Sequence, residues 1–175
     1  VNIIGFNAPE WMVAHLGTLM AGGVGVGVYA TNSAETCEYI ARDSGAKVVV
    51  CEGAAQLRKY LRPAGEGEAV PTLVMYGEDT LPEEDTSCAT QDLYLWQEFL
   101  SLGSVVETSL VEARSAAQGV EDCCSLIYTS GTTGPPKGAI QTNHNMLSMV
   151  ESVDATGMFD DKVRPGGLFL FLPLA

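Results

Sequence analysis

In a chain of 175 residues, the side chains best suited to chemistry form one string: Tyr128-Thr129-Ser130-Gly131-Thr132-Thr133-Gly134-Pro135-Pro136-Lys137-Gly138. It follows directly on the apolar run Cys124-Ser125-Leu126-Ile127. Gly131 and Gly134 let the backbone adopt positive φ and bring its N–H groups close to an anion, because no Cβ blocks the approach. The hydroxyls of Thr129, Ser130, Thr132 and Thr133 add donors, and Lys137 brings an ammonium that can follow charge along a phosphate chain. What such a set suits is the holding of a polyphosphate. A Walker A loop is a different arrangement: counted from Gly131, its second glycine would fall on Pro136, and its metal-binding Ser or Thr on Gly138. A kinase or P-loop ATPase is disfavoured on that ground.

Over its whole length the string resembles the first signature loop of the adenylate-forming (AMP-binding) superfamily, to which acyl-CoA synthetases, luciferases and peptide-synthetase adenylation domains belong. Further phrases resemble landmarks of long-chain fatty acid–CoA ligases in the expected order: Asn7-Ala8-Pro9-Glu10-Trp11, Ala21-Gly22-Gly23, Tyr29-Ala30-Thr31-Asn32-Ser33, Glu38-Tyr39-Ile40 and Leu172-Pro173-Leu174. The opening Val1-Asn2-Ile3-Ile4-Gly5-Phe6-Asn7 and the stretch Thr31-Asn32-Ser33-x-Glu35-x-Cys37-x-Tyr39-Ile40 are most similar to the bubblegum-type branch.

The resemblance implies an acid–thiol ligase. A fatty acid and ATP give acyl-AMP and pyrophosphate, and CoA then displaces AMP. It assigns Thr129, Ser130, Gly131, Thr132, Thr133, Gly134, Pro135, Pro136 and Lys137 to the ATP phosphates. No general base is required for the first step, since a fatty acid is already ionised at neutral pH. The catalytic residues, the Mg2+ ligand, the ribose-binding acid and the lid lysine of the family are expected beyond Ala175. Residues 1–175 are accordingly expected to be a partial N-terminal AMP-binding (adenylation) domain, without the C-terminal lid domain. The alternative is a non-catalytic truncated fragment or pseudo-enzyme with at most weak nucleotide binding.

Composition sets outer bounds. Apolar residues make up 46% of the chain, enough for a core. The net charge of −13 makes nucleic acid and anionic surfaces poor general partners. Glu78-Asp79 and Glu83-Glu84-Asp85 read as solvated loop. The cysteines at 37, 51, 88, 123 and 124 show no C-x-x-C spacing and no paired histidines, so neither a zinc site nor a disulfide framework is expected. The compartment this points to is reducing, the cytoplasm, with peripheral attachment of the complete protein to intracellular membranes left open by the family. The first residue is Val1 and the end, 168–175, is apolar, from which a piece of a longer protein is expected.

The elements that must position the string alternate along the chain. An opening strand leads to a helix that reaches about Ala21. Asn7 and Glu10 form a capping box at its start, and Met12, Val13, Leu16, Leu19 and Met20 make an apolar stripe. His15 and Trp11 on this helix, and Trp96 later, read as structural. Gly25-x-Gly27-x-x-Ala30 satisfies a relaxed dinucleotide fingerprint, but it follows a helix and runs into a Val24-Val26-Val28 alternation. A strand whose glycines admit a close neighbour is expected instead.

Ser33 caps a second helix through Asp43, with Cys37, Ile40 and Ala41 inward and Gly45 ending it. The all-apolar Val48-Val49-Val50-Cys51 predicts a strand buried on both faces, the mark of a helix-covered parallel sheet. A third helix carries Leu57, Tyr60 and Leu61 and ends before Pro63, and a strand follows over 72–76. Next come a polar loop to Thr90, a short helix over 95–102 and a helical segment over 107–118. After the string, a short return over 139–141 leads to a helix capped by Thr142, with Met146, Leu147, Met149 and Val150 apolar, then a connector over 160–165 and a last buried strand over 167–172. The fold class is α/β, a three-layer parallel-sheet core with flanking helices.

Overall fold

The computed structural model describes residues 1–61, 70–82, 90–129 and 134–156. Within them lies a seven-stranded sheet of order β5-β4-β3-β1-β2-β6-β7. Its strands are β1 (Asn2–Ile4), β2 (Gly25–Val28), β3 (Val48–Glu52), β4 (Thr72–Tyr76), β5 (Leu93–Leu95), β6 (Cys123–Thr129) and β7 (Lys137–Thr142). All neighbours run parallel except β6 and β7, which pair antiparallel, so the sheet is mostly parallel rather than wholly so.

Side chains alternate between two faces of this sheet. Ile4, Val26, Val28, Val49, Cys51, Leu73 and Met75 form a core with Cys37, Ile40 and Ala41 of α2 (Ala34–Asp43) and with Ala54 and Leu57 of α3 (Gly53–Leu57). Ile3, Val50, Val74 and Tyr76 pack on the other face against Trp11 of α1 (Pro9–Met20) and against Trp96 and Phe99 of α4 (Trp96–Leu102). The continuous apolarity of β3 therefore marks burial on both faces, as expected. The inward residues of α2 and the Ser33 cap, whose hydroxyl accepts from the Thr36 N–H at 3.2 Å, also stand where the pattern put them.

Three expectations differ from the structure. Ala8 occupies the N-cap position of α1 in place of Asn7, with no side-chain cap and Pro9 beginning the helix. The face of α1 that meets the core carries Trp11, Ala14 and Thr18, whereas Val13, Leu16 and Met20 of the expected stripe are about half exposed. The helix is apolar around most of its circumference, so periodicity alone could not choose the face. The third helix is shorter than expected, ending at Leu57, and β5 was not foreseen, since its three residues run straight into α4.

Gly25 has the role expected of it. A Cβ there would stand 2.5 Å from His15 Nδ1, so glycine is what lets α1 lie down on β2. After α4 come a short 3-10 turn (Gly103–Val105), α5 (Thr108–Ala116) and, beyond β7, α6 (Asn143–Asp154). Thr142 caps α6 in a reciprocal box with Asn145, as the sequence indicates. The connector over 160–165 and the strand over 167–172 lie outside the described residues.

Candidate functional site

The string sits where β6 turns back into β7. Parallel pairing with β2 sends β6 toward the C-terminal edge of the sheet, the edge at which open α/β sheets bind ligands. The antiparallel register then runs Thr129↔Lys137, Tyr128↔Gly138, Ile127↔Ala139, so Thr129 and Lys137 face each other at the mouth of the hairpin. Lys137 is therefore the first residue of β7 and not the last of the loop, a more rigid placement than the string suggests. Both Thr129 and Lys137 are exposed.

Gly134 has φ +105°, a region closed to ordinary L-residues, and the space its Cβ would enter is open. The positive φ expected of this glycine is thus present. Pro135 is exposed and Pro136 half-buried as the chain returns to the sheet. Ser130, Gly131, Thr132 and Thr133, also assigned to the phosphates, lie outside the described residues.

Beneath the mouth the hairpin is anchored by Tyr128. Its ring is buried, and a Cβ on Gly138 across the register would meet the ring at 3.1 Å, so glycine there leaves the phenol its place. The hydroxyl donates to Asp43 Oδ2 at 2.6 Å, tying β6 to the last residue of α2. Burial, and then the carboxylate that accepts its proton, push the Tyr128 phenol up from its ordinary pKa, so it stays a donor at neutral pH. This support was not foreseen. Tyr128 and Asp43 are 85 residues apart, and no local pattern links them.

The remaining candidates for chemistry are quiet. Cys37, Cys51, Cys123 and Cys124 are free thiols, and burial raises the Cys37, Cys51 and Cys124 pKa values, which disfavours thiolate. Cys88 lies outside the described residues. His15 stacks on Trp11 with ring centroids 5.4 Å apart, a packing role as expected. Among the described residues no group of three or more His, Cys, Asp or Glu could hold a metal ion, and no helix is long and apolar enough to cross a membrane.

Known proteins resemble this chain. A family model described as AMP-binding enzyme matches residues 1–175. The long-chain-fatty-acid–CoA ligase ACSBG2 of Rattus norvegicus is 41% identical over 183 residues, covering 100% of this chain and 26% of its own length. The human protein of the same name is 35% identical over 176 residues, covering 100% of this chain and 25% of its own. The chain thus spans about a quarter of the length of these relatives.

Among solved structures, the luciferase-like enzyme of the mealworm Zophobas morio superposes with a TM-score of 0.56 at 14% identity, over 87% of this chain and 32% of that one. The A-PCP didomain of carboxylic acid reductase from Segniliparus rugosus, in complex with AMP, gives 0.54 at 19%, over 84% and 22%. At such identities the likeness is one of fold.

Proposed function

The chain belongs to the AMP-binding enzyme family, and from that premise we propose that it forms the phosphate-holding part of a long-chain fatty acid–CoA ligase of the bubblegum type. The observation that carries the reading is the β6–β7 hairpin, with Gly134 at φ +105° and Lys137 facing Thr129 at its exposed mouth. In the proposed reaction the fatty-acid carboxylate attacks the α-phosphorus of ATP. A new P–O bond forms, the α–β bridging P–O bond breaks, and pyrophosphate departs with the electron pair.

The work left to this chain is to meet negative charge as it gathers on the leaving oxygens. Hydroxyl donors, backbone N–H groups and the Lys137 ammonium do this best when their contacts tighten as the charge develops. The strand that starts at Lys137 holds the root of that side chain, while its stem can follow the phosphates. Family membership supports ATP and CoA as co-substrates. Mg2+ would neutralise phosphate charge; no group of three or more His, Cys, Asp or Glu among the described residues could hold it, and the part proposed for the hairpin is direct contact to phosphate oxygens. A cytoplasmic location, with the complete protein peripheral on intracellular membranes, is part of the same proposal and is supported by the free thiols.

Pyrophosphate release by the protein carrying this sequence, assayed with long-chain fatty acids, tests the assignment. Lys137→Ala is expected to raise the barrier by about 2–4 kcal/mol, a loss of roughly thirty- to nine-hundred-fold in rate, with little change in folding. Gly134→Val places a β-branched residue at positive φ, which costs about 1–3 kcal/mol of local strain and should weaken ATP binding as well as slow release. Parental rates in both variants would remove the hairpin from the phosphate site.

A further inference from the structure

Among the described residues, β7 is an edge strand that pairs with β6 alone, and Lys137 stands at its very start, in the last register pair of the ladder. A strand end with one neighbour is the part of a sheet least held by its own hydrogen bonds. The lysine stem is flexible as well, so the place its ammonium reaches depends on how firmly its Cα is rooted. Resting on the phosphate-holding reading of the hairpin, we propose that Asp43 and Tyr128 are positioning residues for Lys137, a tether from the end of α2 that sets where the ammonium meets the phosphates.

The path is short and each step of it is a contact. Asp43 is the last residue of α2, a helix fixed at its start by the Ser33 cap and along its length by Cys37, Ile40 and Ala41 in the core. Its Oδ2 accepts the Tyr128 hydroxyl at 2.6 Å, a bond to a charged acceptor and so one of the stronger kinds. Across the register lies Gly138, where a Cβ would stand 3.1 Å from Cζ of the Tyr128 ring and 3.4 Å from its hydroxyl oxygen. The Gly138 backbone is therefore seated against the phenol end of the ring, and the next residue back along the chain is Lys137. Where the phenol is held, the root of the lysine is held.

Cohesion of the core does not require this hydroxyl. The ring is already buried in the α2 face of the sheet, and phenylalanine would occupy the same space. What the hydroxyl adds is a fixed distance to a helix end, which is what a group that must meet a developing charge within a fraction of an ångström needs from its surroundings. Asp43 itself is exposed, so replacing it disturbs the tether without opening a cavity.

Pyrophosphate release by the complete protein carrying this sequence, with kcat and the KM for ATP measured on a long-chain fatty acid at a temperature where each variant is folded by circular dichroism, tests the tether. Tyr128→Phe and Asp43→Ala should each lower kcat about tenfold and leave the KM for ATP within about twofold. Asp43→Asn, whose amide oxygen still accepts the phenol proton, should recover most of the loss. In a Lys137→Ala background, Tyr128→Phe should slow release by less than about twofold further, because the group it positions is gone.

A purely structural Tyr128 would lower the rate by the same factor with or without Lys137, and that outcome overturns the proposal. So does a parental kcat in Tyr128→Phe, or a loss in Asp43→Asn equal to that in Asp43→Ala, when Lys137→Ala is slow: the hairpin then remains the phosphate site and the tether alone falls. A parental rate in Lys137→Ala removes the phosphate-holding reading itself and the tether with it.

Discussion

On β3 and β4, Val49, Val50, Cys51, Leu73, Val74 and Met75 are at most 3% exposed, whereas Ile127 on β6 and Ile140 on β7 are 46% and 64% exposed. The two halves of one sheet are therefore made of similar residues under different conditions. The first half is sandwiched by α2 and α3 on one face and by α1 and α4 on the other. In the second, the hairpin carries the candidate phosphate site, while Leu147, Met149 and Val150 of α6 are more than half exposed. Burial concentrates the cohesion of the described residues in the first half.

The strongest test of this contrast is a matched pair of truncations. Leu73→Ala deletes a fully buried side chain from the centre of β4 and should destabilise the protein by about 3 kcal/mol, within the usual range for such cavities. Ile140→Ala, on β7, should cost less than about 1 kcal/mol. Urea unfolding of both variants decides it. Equal costs would mean that the hairpin half is packed in solution as tightly as the strand centre, and the contrast would fall.

Tyr128 sharpens the comparison, because it is the point at which the open half is fastened to the covered one. Tyr128→Phe keeps the ring against Gly138 but removes the hydrogen bond to Asp43 and leaves that carboxylate without this donor. A bond to a charged acceptor contributes about 1.5–3 kcal/mol. The expected outcome is a loss of about 2 kcal/mol in overall stability, with faster amide exchange confined first to β6 and β7. Uniformly faster exchange across β3 and β4 would show that Tyr128 supports the whole sheet rather than the hairpin.

How far these features could be read from the chain depends on how local they are. The spans of α2, β3 and β4 follow from caps and apolar runs within a few residues, and β4 was expected at the residues where it lies. Of the hairpin, the residue types and the positive φ at Gly134 were legible, because a glycine between hydroxyl residues and prolines has few other reasons to be there. The rest was non-local. Asp43 reaches Tyr128 only because α2 and β6 pack on one core. Which face of α1 turns inward was undecidable from a helix with apolar residues on most sides; the choice was made by Trp11 and by the glycine opposite His15.

That same histidine gives the smallest expected effect, at the seam between the two halves. His15 lies over Gly25 of β2, the strand that pairs with β1 of the covered half and with β6 of the open one. Burial lowers its pKa from the ordinary histidine value of 6.5, and its Nδ1 is buried without a hydrogen-bond partner. The folded protein thus binds this proton less readily than the unfolded chain does. As pH falls through 6.5 the unfolded state takes up the proton first, and stability drops with it. The loss continues until pH passes the lowered folded value, below which both states are protonated and the penalty is constant; above 6.5 the contribution is fully present. His15→Gln removes the titration, so its melting temperature should decline less than that of the parent as pH is lowered from 7.5 through this window. If parent and variant decline in parallel, the acid sensitivity of the seam belongs to other groups, and α1 rests on β2 without a neutral imidazole being required.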